Sequence, residues 1–309
     1  MKSRNSHGLL CLLLAMSTGM AFSQTSSAAI IEHTPDANTL LLYHFNETTP
    51  DQYAGGADFG DSNYSGSPGP FNGFGFDIAS DQIVMGQNSV PGLDKAIQLR
   101  GPSATPAAKR NSVTAGDGFG AGNYWNGGSM TIEAWIMNPL LAGGDSTTGR
   151  LIAISRETAI SFSFGLTSTG AMKTFGNVTD SSFNISTSGL TWNLNTWYYV
   201  ALVVDTTGQD AGMAEFSFYR AAYGDTSLTL LHSTTGLAPG DANSGLSIGG
   251  ETTANSRSFQ GYIDEVQFSN IARSADYLAT YAIPEPSAIA LGAIGIGLIL
   301  LRVRRSQRR

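Results

Sequence analysis

The chain is written in short apolar runs, each cut off by glycine, asparagine, aspartate, serine or threonine within a few residues. That punctuation limits it to a β-rich fold, because helices need longer stretches of 3.6-residue periodicity. Strands are expected at 39–46, 96–100, 130–138, 151–155, 161–167, 172–175, 197–205, 214–220, 228–233, 246–248 and 261–269. The run at 197–205 carries apolar side chains on both faces, as a central strand covered on two sides does. Only 274–282 reads as a helix in this body, with Tyr277, Leu278 and Tyr281 on one face. Residues 50–91 hold seven glycines between Gly55 and Gly75 with aromatics among them, and read as a long ordered loop or an irregular hairpin. No repeat period is visible.

The two ends carry a different grammar. Residues 1–23 have the form of a signal peptide: Lys2 and Arg4, an apolar stretch from Gly8 to Met16, then Ala21-Phe22-Ser23. Cleavage is expected before Gln24, or alternatively after Ala28. At the other end stand Ile283-Pro284-Glu285-Pro286-Ser287, an uncharged run of 14 residues from Ala288 to Leu301, and five arginines in the last eight residues. As a helix the run measures ~21 Å at about 1.5 Å per residue, short for a bilayer core that needs about 20 residues. Val303 and a snorkelling Arg302 extend it slightly, to 288–303. The arginines mark a cytoplasmic flank. This tail, 283–309, resembles the PEP-CTERM sorting signal of exopolysaccharide-producing Gram-negative bacteria. The resemblance implies an exosortase-like membrane peptidase as partner, with Pro284, Glu285 and Pro286 as the motif it reads. It implies an exported protein, anchored in the cytoplasmic membrane facing the periplasm or released to the cell surface and matrix. Retention and removal of the tail both remain open at this level.

Cys11 is the only cysteine and lies in the apolar part of the leader. A chain processed there has no disulfide, thiol nucleophile or zinc-thiolate site. Between residues 29 and 283 there are 10 basic and 23 acidic side chains, a formal charge of −13. That balance argues against nucleic acid and anionic lipid, and suits divalent cations or neutral sugars.

Four motifs in order give the body, 29–282, its own resemblance. They are Leu41-Leu42-Tyr43-His44-Phe45-Asn46-Glu47, Ser129-Met130-Thr131-Ile132-Glu133-Ala134-Trp135-Ile136, Asn195-Thr196-Trp197-Tyr198-Tyr199-Val200-Ala201 and Ser258 to Phe268. Together they resemble a laminin-G-like, concanavalin A-like domain. The resemblance implies an all-β fold, a two-sheet antiparallel jelly roll of roughly 12–14 strands. It also implies a structural calcium between the end of the first strand and the closing strand, on Asn46, Glu47 and Asp264, a set of oxygen donors such as calcium takes. Asp264 is expected on the face of Val266 and Phe268.

The chemistry of an enzyme is not visible in the pattern. Glu133 has Thr131 and Trp135 as same-face neighbours, and Asp264 and Glu265, being adjacent, are expected on opposite faces. No strand shows the paired carboxylates of a glycanase, and Glu215 also lacks a same-strand partner. His33, His44 and His232 form no metal-ligand pair and no serine-hydrolase motif, so a zinc site is not expected. The run Gly116-Asp117-Gly118-Phe119-Gly120 is expected to follow no strand, which removes a nucleotide-loop reading. Trp135 and Trp197 are expected in the packing, and Trp192 stands between core and site. The candidate sugar platform is the loop cluster Tyr124, Trp125 and Asn126. The sequence therefore leads to an exported, non-enzymatic binding module for glycan or envelope protein. The alternatives are a structural matrix protein without small ligand and a glycoside hydrolase of the same fold.

Overall fold

All eleven strands expected from the sequence are present, and five more lie between them. The computed structural model describes residues 29–46, 58–59, 73–76, 83–100, 112–115, 128–138, 150–156, 160–178, 181–240, 246–250 and 259–284. The expected leader, Glu47, the loop cluster Tyr124, Trp125 and Asn126, the glycine run 116–120, Glu285, Pro286 and the apolar run 288–303 lie outside them. Among the described residues no helix is long and apolar enough to cross a membrane.

One sheet takes β1 (Thr39–Tyr43), β4 (Ile83–Asn88), β5 (Lys95–Arg100), β7 (Met130–Met137), β12 (Trp197–Asp205), β13 (Met213–Ala222), β14 (Thr229–Leu237) and β16 (Gln260–Ser269). Its order is β14-β13-β12-β7-β16-β5-β4, with β1 also paired to β16. The other takes β2 (Asp58–Phe59), β3 (Gly73–Phe76), β6 (Ser112–Ala115), β8 (Arg150–Arg156), β9 (Ile160–Leu166), β10 (Met172–Val178), β11 (Ser181–Ser186) and β15 (Leu246–Ile248). Its order is β11-β10-β9-β8-β15-β6-β3-β2. The named strands pair antiparallel throughout. The stretch 50–91, read as a loop or irregular hairpin, contributes β2, β3 and β4 to both sheets. β6 ends at Ala115, directly before the glycine run that was expected to follow no strand.

Alternation along the strands builds two apolar layers. Leu41, Ile132, Ile136, Phe162, Phe164, Leu202, Phe216 and Phe268 fill the space between the sheets, with Ile248 from β15. Trp135, Trp197, Tyr199, Ala201 and Val203 face the other way and pack with Ile30, Val90, Leu278 and Ala282. β12 is thus buried from Trp197 to Val204, the two-sided central strand that its composition indicates. Burying each large side chain of this kind contributes about 1.5–3 kcal/mol.

The outer layer is closed by the N-terminal segment and by helix α1 (Ala275–Ala282). Ser274 caps the helix, accepting from the Tyr277 backbone N–H at 3.2 Å, a contact worth about 1 kcal/mol. Leu278 and Ala282, four apart, supply its buried stripe. Ile283 is already extended, as a residue before proline tends to be.

Candidate functional site

The buried carboxylates and histidines of the described residues collect on the outer face of the first sheet, where β16 breaks its alternation. Asp264 stands opposite Trp135 and Gln267 opposite Glu133. Two residues of β16, Glu265 and Val266, therefore face the single Ala134 of β7, which is a β-bulge. Glu265 takes the left-handed φ of 50° that lets the extra residue fit. The bulge falls where β16 changes neighbour, from β5 along 260–263 to β1 along 266–269. Ile263, Val266 and Phe268 consequently point into the inner core, while Asp264, Glu265 and Gln267 point outward. Two expectations are corrected by this. Asp264 does not share the face of Val266 and Phe268, and Asp264 and Glu265 stand on one face rather than two.

His33, from the covering segment, is the hub. Its backbone N–H donates to Glu265 Oε2 at 2.8 Å, and its Nδ1 lies 2.9 Å from the same oxygen. Its Nε2 lies 3.2 Å from Glu133 Oε2, and the Tyr199 hydroxyl donates to that oxygen as well. The ring stacks on Tyr281 of α1 at 4.2 Å between centroids. Burial alone would lower the His33 pKa; the Glu133 and Glu265 carboxylates override it and raise it to about 9. Burial would raise Glu265, but hydrogen bonds from His33 and His44 hold it down at about 2. At Asp264 burial, then the Glu265 charge, push the carboxyl well above the usual range; the hydrogen bonds from Ser89 and the Glu265 N–H and the charge of His33 pull the other way but are outweighed. Burial with Glu133 likewise raises the Tyr199 phenol. Glu133 and Asp264 are fully buried and Glu265 is 1% exposed.

Two of the residues expected to hold calcium are already engaged. Asp264 accepts from the Ser89 hydroxyl and from the Glu265 N–H at 2.8 Å. Asn46 accepts from Lys95 N at 3.1 Å and donates to Glu32 Oε1 at 2.8 Å. Glu47, the third residue of that expected set, lies outside the described residues. What does converge near the end of β1 is Glu32, His44 and Glu265, one ligand atom from each lying within 4.8 Å of the others.

A second feature lies on the other sheet. Along β10, Met172 and Thr174 are buried, whereas Lys173 and Phe175 are half-buried and point the other way. Phe175 is paired with Asn184 of β11 and Lys173 with Ser186. Asn184 and Ser186 are exposed, and the Lys173 ammonium sits 5.3 Å from the centre of the Phe175 ring. An aromatic face with amide, hydroxyl and ammonium beside it results.

The family model of the concanavalin A-like lectin/glucanases superfamily matches residues 103–279. The chain belongs to this superfamily. The eight-stranded sheets and their shared core are the concanavalin A-like sandwich. No curated protein matches this concanavalin A-like chain. Among solved structures it is similar to domain 4 of an extracellular arabinanase from Geobacillus stearothermophilus, solved with arabinotriose. That likeness has 13% identity and a TM-score of 0.44, over 79% of this chain and 99% of that one. A sialidase of Trypanosoma rangeli shares 12% identity with a TM-score of 0.48, over 89% of this chain and 39% of the sialidase. The chain thus spans well under half of the sialidase. A pentraxin of Limulus polyphemus shares 18% identity with a TM-score of 0.32, over 50% of this chain and 69% of that one.

Against this concanavalin A-like frame the expected residues fall unevenly. Trp135 and Trp197 are packed as read. Trp192 is core, its Nε1 donating to Gly170 O at 2.8 Å. His44 is buried, with its Nδ1 2.6 Å from Glu265 Oε1. Glu32, Phe175 and Asn184 were not singled out by the pattern, and His33 entered it only as a histidine without a metal-ligand pair. His33 and Glu32 precede the first strand and carry no spacing signal. The alternation of Lys173 and Phe175 against Met172 and Thr174 was the signal for the aromatic face.

Proposed function

We propose that this protein is a non-catalytic glycan-binding module, and that its sugar contacts lie on the outer face of β10 and β11. The observation that carries the reading is the Phe175 ring beside Asn184, Lys173 and Ser186. A sugar presents an apolar C–H face and a rim of hydroxyls, and such a ring with amide and ammonium neighbours complements both. The non-enzymatic half of the reading has its own support. Glu133, Asp264 and Glu265 lie beneath the N-terminal segment and α1, out of reach of a polysaccharide. A glycanase needs two carboxylates flanking a bound sugar. The same proposal extends to location: export by the N-terminal leader and sorting by an exosortase-like peptidase reading Pro284, Glu285 and Pro286. That part rests on the sequence of the two ends.

The test is a screen of the purified protein against soluble polysaccharides, the producer's own exopolysaccharide included, with and without calcium. Phe175→Ala and Asn184→Ala are expected to weaken binding about tenfold or more, in line with loss of a stacked ring, with no reducing sugar released by any form. Binding that survives both substitutions moves the site elsewhere. Release of reducing sugar, abolished by one carboxylate substitution, overturns the non-catalytic reading.

A further inference from the structure

We propose that Glu32, His44 and Glu265 form a binding site for a d-block divalent cation of the zinc type. The proposal is independent of the glycan reading. It replaces the expectation that no zinc site exists, which rested on sequence spacing alone.

Three features carry it. The first is the donor set. His44 Nδ1 lies 2.6 Å from Glu265 Oε1 and 3.4 Å from Glu32 Oε1. At metal–ligand distances of about 2.0–2.1 Å a tetrahedral site separates its ligand atoms by about 3.4 Å. The His44–Glu32 spacing already has that value, and the His44–Glu265 pair needs to open by less than about 1 Å. An imidazole nitrogen with two carboxylates suits zinc and its neighbours, whereas calcium and magnesium take oxygen.

The second feature is the support behind the ligands. Glu265 Oε2 is held by the His33 backbone N–H and ring Nδ1, which aims Oε1 at His44. His33 is braced in turn by Glu133. Asn46 Nδ2 holds Glu32 Oε1 at 2.8 Å. Metal sites rely on such outer contacts to orient their ligands. The third is access. The Glu32 side chain is 50% exposed, while those of His44 and Glu265 are 8% and 1% exposed. The site is therefore built from the interior and open on one side, with three protein ligands and a fourth position toward solvent.

The experiment uses the purified full-length chain after removal of metal with a chelator. Titration with zinc chloride, followed by calorimetry, is expected to show one ion per chain. Cobalt(II) at the same site is expected to give the intense visible absorption of a low-coordinate N/O site. Glu32→Gln, at a half-exposed position, is expected to weaken zinc binding at least about tenfold, and His44→Gln to abolish the cobalt spectrum. Tenfold excess calcium is expected to leave bound zinc in place. No zinc uptake, uptake unchanged in Glu32→Gln, or displacement by calcium would each overturn the assignment.

Discussion

At the residue scale, the contact that most directly ties the two ends of the domain together is a fork. Arg273 Nη1 donates to Asp36 Oδ2 at 2.5 Å and Nη2 to Oδ1 at 2.6 Å. The guanidinium also lies 4.2 Å over the Tyr277 ring, and the Arg273 backbone N–H donates to Thr131 at 2.9 Å. The hydrogen bonds from Arg273 hold the Asp36 carboxyl at about 2, below the ordinary value of about 3.9. A depressed carboxyl stabilises the folded state above its unfolded pKa, and that contribution is lost as pH falls through the folded value. The loss therefore falls between about pH 4 and pH 2. Because Asp36 is partly in solvent its size is about 1 kcal/mol or less. Asp36→Asn is expected to lower the melting temperature at neutral pH and to flatten its decline between those pH values, read by thermal denaturation in a pH series. An unchanged acid limb would show that the fork contributes nothing. Arg273→Lys is expected to resemble the Asn variant, since a lysine cannot make the fork. Little of this cluster was legible in the sequence. Asp36 and His33 sit in a segment without periodicity, and Arg273, Glu133 and Glu265, which hold them, are 100 to 237 residues away along the chain.

At the element scale, legibility followed alternation. β7, β12, β13 and β16 declare themselves by their runs, whereas β3 is Gly-Phe-Gly-Phe and β11 is half serine. Glycine and serine are weak strand formers, and what places these two is the pairing of β3 with β6 and of β11 with β10. The bulge in β16 was hidden for another reason. The period-2 rule assumes an unbroken ladder, and one added residue reverses the face of everything before it. The start of the same strand shows how closely β16 and β7 approach. Gly261 has φ 144°, and a Cβ there would lie 2.4 Å from Met137 O and 2.9 Å from Asn138 O. Both contacts are backbone and cannot swing away. Gly261→Ala is expected to cost more than the ordinary penalty of about 1 kcal/mol for alanine at positive φ. Gly208, with φ 73° and nothing within 4 Å of its Cβ position, provides the comparison: Gly208→Ala is expected to pay the strain alone. Urea unfolding of both variants measures the difference, and equal losses would mean that the β16–β7 approach is not tight.

At the scale of the whole molecule, the sandwich and its outer layer share their central strands. Ile132, Ala134 and Ile136 of β7 belong to the inner core, while Trp135 between them belongs to the outer one. On β12 the same division separates Val200 and Leu202 from Tyr199, Ala201 and Val203. Neither layer loses its packing without exposing the opposite faces of strands that the other needs. The class of fold was legible because those alternating runs require cover on both sides; the identity of the cover was not, because α1 and the N-terminal segment are short and meet only in space. The shared strands predict one unfolding transition, even though the cover of the outer layer among the described residues is short: the N-terminal segment, α1 and the turn at Val90. Leu278→Ala removes the buried leucine of α1, and Phe268→Ala opens the inner core from β16. Each is expected to cost about 2–5 kcal/mol and to lower the midpoint of the same single transition, read in parallel by far-ultraviolet circular dichroism and calorimetry. If Leu278→Ala instead splits the melt in two, with an early step that leaves the strand signal intact, the outer layer unfolds as a unit of its own. The buried His33 network would then open with that layer while the sandwich persists.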